Sequence, residues 1–310
     1  MVTVRDGRHP PDKALRAEVA ADLWAWSTRY PLFDPARFPA LAATTVAYLP
    51  MARRADRALA ALVSLWIVAF DALVDERDTD TAVLNALATH YGGLITADQG
   101  ERHVGSLRLE KMAEQLDAAL REIVVLLDNY HPPSAVRLWW EHSCRATIAA
   151  IVRQRGLGRT DAPTPSYAAA LPLLVDSIGV RPYLAVGAIV GREPGLVSRL
   201  AATTALAGEC ALAIRLANDL CTWEKDESEG GFNTLTALRA EIVSAEPTVA
   251  ATVARDRILA TLQARLASSM ARCHAHPAAT GAGATAAAMV RVTDVVVAIY
   301  AAHDYHTYRE

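Results

Sequence analysis

"NDLCTWEKDESEGGFNTL", Asn218 to Leu235, places an amide, a hydroxyl and a carboxylate at four-residue steps: Asn218, Thr222 and Asp226. On an α-helix these steps lie along one face, so the three side chains converge on one region. Their oxygens are hard donors of the kind that suits Mg²⁺. The alternative is a solvated face, since Glu224, Lys225, Glu227 and Glu229 stand nearby. The rest of the chain decides between the two.

Working outward, apolar stretches of helical period dominate: roughly 12–28, 36–49, 53–75, 81–92, 105–129, 133–154, 165–176, 180–190, 195–227, 233–242, 246–272 and 281–307. Between them lie turn-forming segments such as "RYPLFDPARFP", "NYHPPS", "RGLGRTDAPTPS" and "ESEGGFN", none of them a linker. Short alternating runs of strand type are scarce. About a dozen helices without strands predict an all-α helical bundle, with residues 1–310 as a single domain. Helices apolar on most faces imply central members surrounded by others, so polar groups on inner helices become the informative feature.

The composition narrows the function. With 52% hydrophobic and 21% charged residues, the chain has material for a large core. A net charge of −3 supplies no electrostatic footprint for nucleic acid. The longest apolar run, Ala58 to Phe70, is too short for a membrane span, which needs about 20 such residues. Four cysteines without paired spacing, and a polar amino terminus, point to a reduced, cytoplasmic protein.

A second oxygen-rich cluster ends that apolar run. In "LWIVAFDALVDERD", Asp71 and Asp75 are one turn apart and Glu76 follows. A buried helix ends in carboxylates where it reaches water or a cation. Two such clusters facing each other across a bundle suit Mg²⁺ ions bridged by phosphate. The ligand so implied is a diphosphate with an apolar tail, a prenyl diphosphate.

These two segments resemble the metal motifs of class I terpene synthases, D-D-x-x-[DE] and [ND]-D-x-x-[ST]-x-x-x-[DE], here "DALVDE" and "NDLCTWEKD". The resemblance runs over roughly residues 50–308 and includes "LVDSIGVRPYLAVG", like the family's broken mid-chain helix, with Ile178 and Gly179 at the break. It implies the class I terpenoid synthase fold and ionisation of a prenyl diphosphate. It further implies a group of three Mg²⁺ ions held by Asp71, Asp75, Asn218, Thr222 and Asp226, with Glu76 accessory. Arg215 and Lys225 would contact the diphosphate, and "GGFNTL" resembles the segment that closes over it.

Three departures stand out. Ala72 replaces the second aspartate. No arginine precedes Gly179 where bacterial members often carry a diphosphate sensor, which leaves Arg181, just past the break, as a substitute or a surface residue. "HDYHTYRE" lacks the terminal arginine–tyrosine pair, leaving Tyr305 as a diphosphate contact. For stabilising a carbocation, Trp66, Phe70 and Tyr300 are candidates, as are Trp139, Trp140 and Tyr183; core packing is the alternative for each. The scarcity of aromatic residues (four Phe, six Trp, nine Tyr) suggests a roomy cavity and a twenty-carbon substrate. That substrate is either linear or a bicycle supplied by a separate class II cyclase. The remaining partner expectation is a homodimer.

Overall fold

The structure is a computed structural model that describes residues 13–76, 79–96, 107–159, 164–276 and 283–302. Among these, twelve α-helices and no strand are found: α1 Lys13–Ser27, α2 Phe38–Tyr48, α3 Arg54–Val74, α4 Thr81–Ile95, α5 Leu107–Asp128 and α6 Ser134–Arg159; then α7 Tyr167–Ser177, α8 Val180–Gly191, α9 Leu200–Glu229, α10 Thr234–Ala245, α11 Ala251–Ala275 and α12 Ala284–Ala302. Two 3₁₀ turns, Pro35–Arg37 and Val197–Arg199, lead into α2 and α9.

The helix expectations hold at most boundaries, and the differences have physical causes. α6 runs on to Arg159, through Gly156 and Gly158, instead of ending near 154. Its last turn is held from outside: Gln154 Nε2 donates to the Phe232 carbonyl at 2.7 Å, and Leu157 packs on a core formed by Tyr167, Leu174, Leu216, Phe232 and Leu238. Tertiary contact there overrides the weak helix propensity of glycine. α10 extends to Ala245 and stops ahead of Pro247, which pushes the residue before it out of the helical region.

Two long helices organise the bundle. α3 packs against α8, α5, α1, α2 and α6, and α9 against α11, α12, α8, α10 and α7. α8 touches both. α3 starts on a cap in which Asp56 Oδ2 accepts from the Arg53 backbone N–H at 3.2 Å and from Arg53 Nε at 3.0 Å, and Tyr130 Oη donates to Asp56 Oδ1 at 2.6 Å. From Leu59 to Val74 most of its apolar residues are buried, Val68 and Ala72 excepted.

Three helices, Arg54–Val74, Val197–Glu229 (with its leading turn) and Ala284–Ala302, are long and apolar enough by composition to cross a membrane. Their most apolar windows are 72%, 56% and 50% buried inside the bundle, so much of this apolarity is used in packing helix on helix.

The chain bends where α7 meets α8, by 43°. Gly179 sits at the bend with φ 73°, a left-handed conformation that glycine adopts without steric cost. A Cβ there would also stand 2.6 Å from Ile67 Cγ2 on α3, so the break lies close against that helix. The Asp176 carbonyl at the break accepts from the Gly179 N–H at 3.3 Å and from Thr147 Oγ1 at 2.9 Å.

Candidate functional site

Between α3, α6, α8, α9 and α12 lies a cavity of about 650 Å³, within the range that encloses most of a small molecule. Asp71 and Asp75 enter its wall from the end of α3; Asn218, Thr222 and Asp226 enter from α9. The two oxygen-rich clusters of the sequence thus open onto one space. Glu76, Lys225, Arg215, Ile178, Gly179 and Tyr300 line it as well.

The α9 face is internally ordered. Thr222 Oγ1 donates to Asp226 Oδ2 at 3.1 Å, and Asn233 Nδ2, at the start of α10, donates to the same oxygen at 2.9 Å. Asn218 Nδ2 donates to Tyr300 Oη at 3.1 Å. That bond engages the amide nitrogen and leaves the oxygen, the atom of an amide that can ligate a hard cation, for other contacts. α9 ends at Gly230 in a left-handed C-cap, and the Gly231 N–H returns to the Asp226 carbonyl at 2.7 Å.

Across the cavity, Asp71 opens onto the empty volume yet is surrounded by protein. Desolvation, and next the charge of Asp75, push its carboxyl up to about 7, against the pull of Arg215 and Arg37. Carboxylates are crowded here in a desolvated place, with Asp75 and Asp226 raising the shift and Arg215 and Arg37 opposing it. A hard divalent cation relieves that, and the donors (carboxylate, amide and hydroxyl oxygens) fit Mg²⁺. Among the described residues no three His, Cys, Asp or Glu side chains group closely enough to hold an ion by themselves. This donor set suits an ion completed by ligand oxygens.

Arg215 is buried on α9. Its Nε donates to Asp219 Oδ2 at 3.0 Å, its Nη2 lies 2.8 Å from Asp219 Oδ1, and its Nη1 reaches Ser177 Oγ at 3.4 Å beside the helix break. Asp219 also accepts from the Thr234 N–H at 2.9 Å. Burial first of all raises its carboxyl from the usual range, with Arg215 opposing. Arg215 therefore joins the cavity wall to the packing of α9 on α10.

Three expectations are corrected. Trp66 and Phe70 do not reach the cavity. Trp66 Nε1 donates to the Leu116 carbonyl at 2.9 Å, the two rings stack with centroids 5.6 Å apart, and Tyr91 meets both edge-on. They pack toward α4 and α5 because the face of α3 that carries Asp71 is Ser64, Ile67, Val68, Ala72 and Asp75. Arg181 is off the cavity wall too: its Nη1 bonds Asp176 Oδ1 at 2.6 Å on the partly exposed side of the break. Tyr305 falls outside the described residues. Of the further aromatic candidates, Tyr183 lines the cavity, while Trp140 borders a separate small hollow beside Trp66.

The structure adds residues the sequence reading missed. Arg37, from the first 3₁₀ turn, and Gln154 and Arg155, from α6, stand on the wall. Ile151, Gln154, Arg155 and Gly158 follow one helical stripe. That spacing was present in the sequence, but nothing in it said which stripe faces inward.

No protein-family model matches the chain, and no curated protein matches it. Solved structures do. The linalool/nerolidol synthase from Streptomyces clavuligerus superposes with a TM-score of 0.64 at 17% identity, over 97% of this chain and 100% of that one. The same enzyme in complex with 2-fluorogeranyl diphosphate gives 0.64 at 18% identity, over 98% and 99%. The SVS_A2 protein from ancestral sequence reconstruction gives 0.68 at 17% identity, over 96% and 87%. Over nearly its whole length, this chain has the class I terpene synthase fold.

Proposed function

We propose that this chain ionises a prenyl diphosphate with Mg²⁺ and converts the resulting carbocation into a terpene, releasing diphosphate. The observation that carries the reading is the meeting of Asp71 and Asp75 with Asn218, Thr222 and Asp226 on one cavity that also has an apolar wall. Asp71 and Asp75 would hold the ions on the α3 side and Asn218, Thr222 and Asp226 on the α9 side. Bound there, Mg²⁺ neutralises charge developing on the diphosphate oxygens.

The bond from the allylic carbon to oxygen breaks with both electrons leaving on the diphosphate. Lys225 at the rim and Arg215 deeper in line the cavity and would meet that charge. Ile67, Val68, Ile178, Val292 and Val296 form a water-excluding wall around the tail. Tyr183, Phe232 and Tyr300 supply the aromatic faces, each worth about 0.5–2 kcal/mol to a cation. Loss of a proton, or capture of water, ends the sequence.

For chain length, we favour a fifteen-carbon acyclic substrate over twenty carbons. Aromatic residues are few in the chain, yet three stand on this cavity. The structural relatives named for linalool and nerolidol act on shorter chains. An acyclic substrate requires no second cyclase. Purified protein incubated with Mg²⁺ and the ten-, fifteen- and twenty-carbon diphosphates tests both statements. Metal-dependent diphosphate release with a terpene product, fastest with fifteen carbons, is expected. No release from any of the three rejects the function; release from twenty carbons alone restores the longer substrate.

A further inference from the structure

We propose that Ile67, on α3, sets how far a prenyl tail can reach, because it closes the cavity off from a hollow that continues it. The proposal rests on reading the cavity as a prenyl diphosphate site and adds what limits the tail there.

Ile67 is the one residue, among those described, that borders both spaces. The hollow, of about 10 Å³, lies against Val63, Trp66, Trp140, Cys144 and Ile148, all of them buried. At 3.6 residues per turn, Ser64, Val68, Asp71 and Asp75 share a stripe of α3 roughly 60° wide that lines the cavity. Ile67 stands about 40° to one side of that stripe, and Val63 about 40° further round. The Ile67 side chain therefore lies on the seam between the face turned to the cavity and the face turned to the hollow.

α6 shows that the two spaces are in line. Trp140, Cys144 and Ile148 border the hollow; Ile151, Arg155 and Gly158 border the cavity. Steps of three or four residues join them all into one helical stripe. α6 ends beside the clusters, where Arg155 Nη2 donates to the Glu76 carbonyl at 2.6 Å, so the hollow lies at the end away from Asp71 and Asp75. Between Ile148 and Ile151 the space is interrupted, and Ile67 is the residue on both sides of the interruption.

Ile67 is also held in place. Gly179 offers it bare backbone at the α7–α8 break: a Cβ there would stand 2.6 Å from Ile67 Cγ2 and 3.8 Å from Cδ1. A β-branched side chain gripped in this way has little rotamer freedom and does not swing aside for a longer tail. Shortening Ile67 to alanine joins the hollow to the cavity at the end farthest from the diphosphate. The added room is walled by two indoles, Trp66 and Trp140, whereas no tryptophan borders the cavity as it stands. Entry of a tail then has an optical signature as well as an energetic one.

The test is equilibrium binding, with Mg²⁺, of unreactive fifteen- and twenty-carbon prenyl thiolodiphosphates, followed by calorimetry and by tryptophan emission. Ile67→Ala is expected to raise affinity for the longer analogue relative to the shorter by about tenfold or more, the order set by burying roughly two or three further carbons of tail. Its emission should shift with the twenty-carbon analogue, and that of the wild type should not. Val63→Ala, which widens the hollow but leaves Ile67 standing, should behave as the wild type does. A folded Ile67→Ala with the wild-type preference overturns the proposal. So does a changed preference without a change in emission, or the same change in Val63→Ala. If Ile67→Ala does not fold, Ile67→Val is read in its place, for a smaller change of preference in the same direction. No change there, or loss of the fold in both, makes Ile67 a packing residue and overturns the proposal. If wild-type protein binds the analogues but converts no prenyl diphosphate, the catalytic reading fails while this one stands. If it binds neither analogue, both fall.

Discussion

Arg215 and Asp219 lie one turn apart on α9 as a buried ion pair, joined at both carboxylate oxygens, with the guanidinium facing the cavity and the carboxylate facing α10. Removing one member strands the other in a desolvated place, which costs about 3–5 kcal/mol. Arg215→Ala is therefore expected to lower the unfolding midpoint by an amount of that order, besides any effect on turnover. Arg181→Ala breaks a partly exposed pair and is expected to cost under about 1 kcal/mol. Denaturant titrations of both variants check this, and equal midpoints would remove the buried pair from the account of α9.

The Asp71 carboxyl carries a pH signature. It titrates near 3.9 in an unfolded chain and is pushed up to about 7 here, by desolvation and then by Asp75. The folded state thus holds this proton more tightly. The resulting stabilisation is fully present below about pH 4, declines as pH rises, and is gone above the folded value. Metal-free protein is expected to melt at a higher temperature at pH 6 than at pH 8. Asp71→Asn should flatten that slope, as should saturating Mg²⁺ with diphosphate, which keeps the carboxylate ionised. A slope unaltered in Asp71→Asn would assign it to another group.

Tyr300 is bonded to the Asn218 amide, a ligand in the proposed metal site. Its hydroxyl accepts the Asn218 amide N–H, and loss of such a supporting contact weakens metal affinity by roughly tenfold or more. Tyr300→Phe should raise the Mg²⁺ concentration needed for half-maximal diphosphate release while leaving the melting temperature near normal. Asp71→Ala and Asn218→Ala should abolish release with the helical circular dichroism retained. A Tyr300→Phe enzyme with unchanged Mg²⁺ dependence contradicts the orienting role.

Gly158→Ala probes closure. The added methyl meets the Gly230 carbonyl, so the turn that follows the second cluster cannot rest on α6 as it does now. Hydrogen exchange over residues 226–235 is expected to slow when wild-type protein binds Mg²⁺ and diphosphate, and to slow less in Gly158→Ala. Equal exchange with and without ligand in the wild type would sink the idea that this turn closes on diphosphate.

The helical bundle was legible because apolar periodicity and turn residues are local signals, and the α3 and α9 clusters because their spacing is helical arithmetic. Which way a ring points was legible in part. From Asp71, the residues one and two turns back on the same face are Ile67, Val68 and Ser64; Trp66 and Phe70 are rotated away, and counting by 3.6 would have excluded them. Arg37 and Arg155 were not legible. Each reaches the cavity by tertiary placement, one from a 3₁₀ turn far up the chain and one from near the end of a long helix. Arg181 shows the converse: proximity in sequence to the break did not bring it to the wall, because Asp176 holds it outside.

The inward set of α3 residues has a spectroscopic consequence. All six tryptophans lie among the described residues, and none borders the cavity; even Trp223, within the second metal motif, has the Arg255 guanidinium over its ring, 4.2 Å from the centroid. Indole emission from this protein is expected to report chiefly on its helix packing, since no indole stands on the cavity wall. A single Phe232→Trp exchange, on a wall that lacks indole, would give the site a fluorophore of its own and let each ligand be followed against a background that does not respond.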